Sequence, residues 1–307
     1  MTKSIQKILC ATDLSDYSVP VIECGAEMAQ RFSAHLIIFH TIASDDNRLY
    51  GPDVLDRKSK LEKLAAGAHE KIRACMAPHE IAWKPVVVSG NPVDQICNVA
   101  REQDVDLVIA ASHRFSGLKR AFMGSVVERM ARSLPFPFLV LRFPGKIYKS
   151  DNRWPLKFKR MVVGCNFSKE SFSPVNLAVE LGEAYQSTIH LLHAVETPLN
   201  EEGTELSGGP YSKVQDDLLE GLNKKLSGLI PQYNRERCSI KPALIPGVPA
   251  EGLLMFAGSV DADLIVVGVL QRSALGKILI GSTTEAALRH SPCPVLVVPD
   301  SRQAADQ

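Results

Sequence analysis

The chain has 307 residues, about twice the ~150 of a typical domain, so we expect two domains. Hydrophobic residues make up 45% of it and charged residues 22%, which is ordinary for a globular protein and argues against disordered or fibrous architectures. The 35 basic and 34 acidic side chains nearly cancel, so no charge excess would draw the chain to nucleic acid or to an anionic membrane.

The first half alternates short apolar runs with longer amphipathic segments. Buried strands are predicted at 8–11, 36–39, 83–88, 107–111 and 138–141. Helices are predicted between them, at 18–32, 53–77, 92–103 and 124–133. Because each parallel crossover needs a helix, this order predicts an open, Rossmann-like α/β fold: a five-stranded parallel sheet with helices on both faces.

The same order recurs in the second half. The segment from Gly90 returns from Gly247, an offset of 157 positions, and strands are predicted near 160–165, 188–195, 238–245, 263–268 and 294–298. A period this long means two whole domains rather than solenoid repeats. We therefore predict a first domain at 1–143, a linker at 144–158, a second domain at 159–300 and a flexible tail at 301–307.

Seven scattered cysteines with no C-x-x-C spacing predict reduced thiols rather than a disulfide framework or a zinc site. The chain begins without a long apolar leader, and nowhere do eighteen apolar residues run together. A soluble, cytoplasmic protein is the expectation.

The ends of the strands indicate where a ligand would bind. In a doubly wound sheet the site lies beyond the carboxyl ends of the strands where strand order reverses. If the first and fourth strands flank that point, the loop after residue 11 faces the segment that leads to Gly124 and Ser125. A Gly-Ser pair opening a helix offers backbone N–H groups, a hydroxyl and the positive end of the helix dipole, which suit a phosphate. The alternative is that Ser125 and Ser282 are ordinary N-caps.

Several motifs carry a family resemblance. They are Asp13-Leu-Ser15, Gly90-Asn-Pro92 and Gly124-Ser-Val126 in the first copy, with Asp263–Gly268 and Gly281-Ser-Thr283 in the second. Both copies resemble the universal stress protein family over nearly their whole length. The resemblance implies an adenine-nucleotide alpha hydrolase-like fold, ATP or AMP binding in one branch of the family, and pairing of domains through the last strand.

Each copy departs from the nucleotide-binding pattern of that family, which is Gly-x-x-Gly, nine residues, then Gly-Ser or Gly-Thr. In the first copy Ala111 and Arg114 replace the early glycines, and in the second Gln271 replaces one of them. A bulky residue there blocks the ligand or distorts the turn, whereas the Arg114 guanidinium is also able to contact a phosphate; both outcomes stay open. The acidic residue after the first strand is Asp13, but it is Asn166 in the second copy, and Asp13 can equally be a turn residue.

By resemblance, nucleotide contacts fall on Thr12, Asp13, Thr41, Ala111, His113, Arg114, Gly124, Ser125 and Val126 in the first copy, and on Asn166, Gly268, Gly281, Ser282 and Thr283 in the second. No catalytic residue and no metal ligand is assigned. A P-loop, a dinucleotide fingerprint and a Gly-x-Ser-x-Gly elbow are absent from the sequence. His190 and His193 point to opposite faces of a strand and are poor joint metal ligands.

The leading interpretation is a stress-response protein that binds an adenine nucleotide, ATP or AMP with or without magnesium, in at least one domain and has a regulatory or chaperone-like role. A second is a degenerate scaffold that binds no nucleotide and recognises protein or apolar ligands. A third is slow ATP hydrolysis, suggested by family analogy alone.

Pairing of the two copies is predicted from their last strands. Each copy ends in a strongly apolar strand, and an exposed apolar edge invites aggregation. We therefore expect the two last strands to cover each other within one chain. A further homodimer is left open. Trp154 and Phe158 are predicted to fix the linker to a domain surface rather than to stack on a ligand.

Overall fold

The computed structural model describes residues 4–15, 19–42, 54–112, 124–142, 157–168, 171–195, 210–230, 238–272 and 278–299. The chain divides into two compact units, Met1–Leu156 and Lys157–Gln307. Among the helices in these ranges, none is both long enough and apolar enough to cross a membrane.

The first unit is a five-stranded parallel sheet with four helices. Its elements are β1 (Lys7–Ala11), α1 (Val19–Phe32), β2 (His35–Ile42), α2 (Val54–Met76), β3 (Trp83–Ser89), α3 (Pro92–Glu102), β4 (Leu107–Ser112), α4 (Ser125–Ser133) and β5 (Phe138–Arg142). The strand order is β3-β2-β1-β4-β5, and every neighbouring pair is parallel. The order reverses between β1 and β4, as predicted.

The second unit repeats this architecture. Its elements are β6 (Arg160–Gly164), α5 (Phe172–Tyr185), β7 (Thr188–Val195), α6 (Pro210–Gly228), β8 (Ser239–Pro246), α7 (Pro249–Ser259), β9 (Leu264–Gly268), β10 (Leu270–Arg272), β11 (Ile278–Leu279), α8 (Ser282–His290) and β12 (Val295–Val298). The parallel order is β8-β7-β6-β9-β12. The predicted fold is therefore confirmed in both halves. The short antiparallel pair β10–β11 was not predicted.

The central strands are buried on both faces, which explains their continuous apolar sequences. Ile8, Leu9 and Cys10 of β1 are each 0% exposed. Helix α1 packs closely on this strand, because a Cβ placed on Gly25 would lie only 2.1 Å from the Cys10 sulfur. Close approach of helix to sheet is therefore what requires a glycine at position 25.

A repeated aspartate fixes the register of β1 against β4 and of β6 against β9. Asp106 Oδ2 accepts hydrogen bonds from the backbone N–H groups of Gln6 and Lys7, both at 2.9 Å. Asp263 does the same with the N–H groups of Lys159 and Arg160, again at 2.9 Å. These bonds tie the first and fourth strands of each unit at their amino ends, and so set which residues emerge side by side at the carboxyl ends.

Phe158 anchors the start of the second unit. Its ring is 1% exposed and lies edge-on to the Tyr185 ring, with centroids 5.1 Å apart. Its carbonyl oxygen also accepts a hydrogen bond from the buried Ser187 hydroxyl. Phe158 is therefore a buried residue of the second unit, where the sequence analysis expected a linker residue packed on a domain surface, and Trp154 lies outside the described residues.

Candidate functional site

A cavity of about 430 Å³ opens at the carboxyl edge of the second unit, where β6 and β9 end beside the start of α8. Its polar wall is formed by Asn166, Ser168, Gly268, Gly281, Ser282 and Thr283. Its apolar wall includes Pro174, Leu192, Ala194, Leu253, Val267 and Val269. All five residues predicted as a nucleotide site in this copy therefore line one cavity.

The start of α8 lines this cavity, and its first N–H groups have no partner inside the helix. Gly281 is the N-cap residue, with extended backbone (φ −69°, ψ 154°) and no side-chain capping bond, and the first intrahelical bond runs from the Glu285 N–H to its carbonyl oxygen at 2.9 Å. The N–H groups of the first turn, from Ser282 onward, have no partner within the helix. The alternative in which Ser282 is the N-cap is wrong, because the glycine takes the capping conformation.

Thr284, which sequence reasoning missed, holds the helix start against the sheet. Its hydroxyl is buried and donates a hydrogen bond of 2.6 Å to the carbonyl oxygen of Gly268, the last residue of β9. This bond fixes the distance between Gly268 and the helix start at Gly281, the two glycines of the nucleotide-binding pattern in this copy. The signal in the sequence was a hydroxyl residue two positions after Ser282.

The loop after β6 brings Asn166 to the cavity in a defined orientation. Asn166 Oδ1 accepts from the Ser168 backbone N–H at 3.1 Å and from the Ser171 hydroxyl at 2.7 Å. Phe167 between them has a left-handed backbone (φ 60°). These bonds occupy the carbonyl oxygen of the side chain, so the amide Nδ2 is the group with which Asn166 can donate to a ligand.

His193 supports the same loop from β7. Its Nδ1 lies 2.8 Å from the carbonyl oxygen of Cys165, and its ring lies 4.2 Å from that of Phe167. His190 instead packs against Phe256, with ring centroids 5.4 Å apart. The two histidines therefore occupy different environments, as the strand periodicity predicts. Among the residues described here, no group of three or more His, Cys, Asp or Glu side chains is arranged to hold a metal ion.

Cys165 lines the cavity with an uncharged thiol. Burial raises the pKa of its thiol to about 12, so the thiol stays protonated at neutral pH. A thiolate nucleophile is therefore not available at this position under physiological conditions.

In the first unit the loop after β1 is an Asx turn. Asp13 Oδ1 accepts from the Ser15 backbone N–H at 3.0 Å and from the Ser15 hydroxyl at 2.7 Å, and Leu14 between them is left-handed (φ 57°). Thr12 is buried and uses its hydroxyl oxygen to accept from the Leu14 N–H, while its carbonyl oxygen lies 2.9 Å from His40 Nδ1. Asp13 thus makes the bonds of a turn residue while its side chain stays exposed at the carboxyl edge.

The start of α4 has the same geometry as that of α8. Gly124 is the N-cap residue without a side-chain capping bond, so Ser125 is not the cap here either. Ser125 and Val126 are exposed in the first helical turn. Ala111 lies near the end of β4, in register with Leu141 of β5.

His113 and Arg114 lie outside the described residues. Gln271 falls in β10, beyond the end of β9.

Comparison with known proteins identifies the family. The model of the universal stress protein family matches residues 4–142 and again 157–299. Universal stress protein E of Escherichia coli is 23% identical over 318 aligned positions, covering 97% of this chain and 95% of that protein. A universal stress protein of Mycobacterium tuberculosis is 26% identical over 251 positions, which cover 82% of this chain and 77% of the relative.

The fold has a counterpart among solved structures. The crystal structure of a universal stress protein from Archaeoglobus fulgidus matches with a TM-score of 0.66 and 20% identity, over 97% of this chain and all of that one. With two matches to the family model that together span most of its length, the chain belongs to the universal stress protein family and carries two such domains in tandem.

Proposed function

We propose that this protein binds an adenine nucleotide, ATP or AMP, in at least one of its two domains and acts as a regulatory or chaperone-like stress-response protein rather than as a turnover enzyme. The observation that carries the proposal is that the start of α8, whose first N–H groups have no partner inside the helix, lines the same cavity as Asn166. We also propose a cytoplasmic location, which the seven free cysteines support.

The phosphate end of the ligand is assigned to the helix start. Ser282 and Thr283 supply backbone donors and hydroxyls there, and the positive end of the helix dipole favours an anion. Gly268 lies opposite, where a residue without a side chain lets the ligand approach the backbone closely. No cation is needed to make this wall attractive to phosphate.

The body of the ligand is assigned to the remaining walls. The volume of about 430 Å³ falls within the ~300–1,000 Å³ typical of small-molecule sites. Leu192, Leu253 and Val267 offer apolar surface for the faces of a purine ring. Polar groups at one end and an apolar body at the other match the distribution of polarity in a nucleotide.

In the first domain the corresponding elements are the α4 start and Asp13. A carboxylate only accepts hydrogen bonds, so Asp13 suits the hydroxyls of a ribose, whereas Asn166 of the second domain presents an amide donor. We therefore expect the two domains to bind the same nucleotide with different affinities.

The cavity of the second domain is lined mostly by apolar surface, which favours a second candidate function. A domain without nucleotide could hold an apolar ligand or a hydrophobic peptide side chain against Leu192, Ala194 and Leu253. Nucleotide released from freshly purified protein, identified by mass spectrometry, would decide against this candidate.

Isothermal titration of the full chain with ATP, ADP and AMP at physiological magnesium tests the proposal. We expect saturable binding tighter than millimolar for at least one of the three. Absence of binding by all three defeats it.

A further inference from the structure

The outer edge of β3 carries backbone donors without partners. This strand stands at one end of the strand order and pairs with β2. The Leu36 N–H donates to the carbonyl oxygen of Ala82 at 2.9 Å. Since the residues of a parallel ladder alternate in direction, positions 82, 84, 86 and 88 face β2, and positions 83, 85, 87 and 89 face outward. The outward N–H groups of Val87 and Ser89 have no partner among the described residues.

The second unit closes the same edge with prolines. By the same alternation, positions 240, 242, 244 and 246 of β8 face away from β7. Two of them, Pro242 and Pro246, have no N–H to offer, which is a common way to protect an edge strand. The first unit keeps the first proline, as Pro85, but has Ser89 in place of the second. Its edge is therefore left open at the carboxyl half of β3.

The open half of β3 can pair with a copy of itself. Val86, Val87 and Val88 are each partly exposed, and β-branched residues favour strand pairing. If two such strands run antiparallel about a two-fold axis, the outward groups of one strand meet those of the other. With either Val86 or Val87 on the axis, the N–H groups of Val87 and Ser89 find carbonyl acceptors across the junction. The edge is thus self-complementary, as a two-fold interface requires.

A groove of about 610 Å³ lies beside this edge. It is lined by Ala66, His69, Glu70 and Arg73 of α2 and by Pro85 of β3. The crossover helix runs opposite to the strand, and a strand residue advances ~3.3 Å where a helical residue advances ~1.5 Å. An axis at Val86, one residue beyond Pro85, is therefore level with about residue 67 of α2, between Ala66 and His69. A two-fold axis normal to the sheet lays α2 of the second copy antiparallel along the groove.

The charges of α2 suit this antiparallel arrangement. Glu62, Ala66, His69 and Arg73 follow one another at intervals of four, three and four residues, so they form one stripe along the helix. With the axis between Ala66 and His69, Glu62 of each copy lies opposite Arg73 of the other. Both side chains are exposed, and neither has an ion-pair partner within the part of the chain that the structure describes. Ala66 at the centre leaves room for close approach of the two helices.

We propose that the open edge of β3 and the α2 stripe (Glu62, Ala66, His69 and Arg73) form a homodimerisation surface, whose occupant is the same surface of a second copy of this chain. The two first-unit sheets join there through antiparallel β3 strands. This assembly goes beyond the proposed function, and it depends neither on nucleotide binding nor on the last strands of the two domains.

Sedimentation velocity of the full-length chain over a range of micromolar concentrations tests the proposal, with Ser89→Pro as the first variant. We expect the native chain to form a dimer. Ser89→Pro removes one donor from each copy, so the dissociation constant of the dimer should rise about tenfold. Pro246 occupies the equivalent position of β8, so the fold accommodates this proline, and the far-UV circular dichroism should not change.

A charge-reversal series tests the alignment of the helices. Glu62→Arg and Arg73→Glu should each weaken the dimer, because each places like charges opposite one another. The chain that carries both substitutions should regain the native dissociation constant to within about threefold, since its charges are complementary again. Glu220→Arg on α6, the counterpart of α2 in the second unit, is the matched control and should leave the dimer unchanged.

Three results would overturn the inference. One is a native chain that sediments as a monomer at every concentration. Another is a dimer that is unaffected by Ser89→Pro and by both single charge reversals, which must form through a different surface. The third is a double reversal that stays as weak as the single ones. None of these results bears on ATP binding, so the proposed function is judged separately by its own titration.

Discussion

A single negative charge at the start of α8 provides a sharp test of where the phosphate binds. Ser282 is exposed in the first turn of that helix and lines the cavity, and its backbone N–H has no partner inside the helix. Ser282→Asp keeps the fold, because a carboxylate in the first turn stabilises a helix by about 0.3–1 kcal/mol. The same carboxylate repels an anion held by the neighbouring N–H groups.

The size of the effect follows from the geometry of one helical turn. For a carboxylate at position 282 and a phosphate bound at the helix start we take a separation of about 5 Å, close to the ~5.4 Å rise of one helical turn. Two unit charges at that distance repel by about 0.8 kcal/mol in bulk water and about 3.3 kcal/mol at an effective dielectric constant of ~20. Because Ser282 is exposed while the cavity behind it is partly closed, we expect a loss of about 1–3 kcal/mol, or about 5- to 150-fold in ATP affinity.

The assay is calorimetric titration with ATP, and Ser282→Asn is the matched control because it has nearly the same size without the charge. The asparagine variant should bind within a few-fold of the native chain, and the difference between the two variants should shrink as salt is raised. Ser125→Asp tests the first domain in the same way. The reasoning is refuted if the native chain binds ATP and neither aspartate variant alters affinity or stoichiometry by more than twofold.

Three further predictions concern stability. Thr284→Val removes the 2.6 Å bond to the end of β9 and leaves that carbonyl oxygen unpaired, so urea unfolding should show a loss of about 1–3 kcal/mol; no loss would contradict the role given to this hydroxyl. Gly25→Ala should destabilise the protein by about 1–3 kcal/mol, because the new Cβ would lie 2.1 Å from the Cys10 sulfur. Gly67→Ala is the control: a Cβ there meets nothing within 4 Å, so this variant should stabilise the protein by up to ~1 kcal/mol. Equal effects of the two variants would contradict the close packing of α1 on β1. Burial raises the pKa of Cys165 from 9.0 to about 12, so the contribution of this thiol to stability is complete below pH 9 and falls as the pH rises towards 12. The free energy of unfolding should fall by up to ~1.4 kcal/mol per pH unit in that range. Cys165→Ala should reduce this alkaline loss in urea titrations at pH 7, 9 and 10.

Much of the fold could be predicted from the sequence, because buried parallel strands are continuously apolar. The predicted strand at 188–195 coincides with β7, and the predicted helix at 92–103 differs from α3 by one residue. The pair β10–β11 was missed because its strands have only three and two residues, too few to show an alternation of apolar and polar side chains. Pairing of the two domains through their last strands stays a prediction.

The candidate site was predictable in position but not in detail. The Gly-Ser helix starts were recognised, yet sequence alone did not distinguish a capping serine from a capping glycine, since both residue types favour that position. Thr284 was overlooked because its importance depends on a contact between a helix and a strand end. Such relations are absent from a one-dimensional pattern.

The central claim is that backbone amides at a helix start hold the phosphate of a nucleotide. Amide chemical shifts in ¹⁵N-labelled protein, followed by TROSY NMR during titration with ATP, test it most directly. We predict that the largest shifts fall on the amides of Gly281–Thr283, of Gly124–Val126, or of both sets. Saturable ATP binding that leaves both sets unmoved, or no binding at all, would contradict the account.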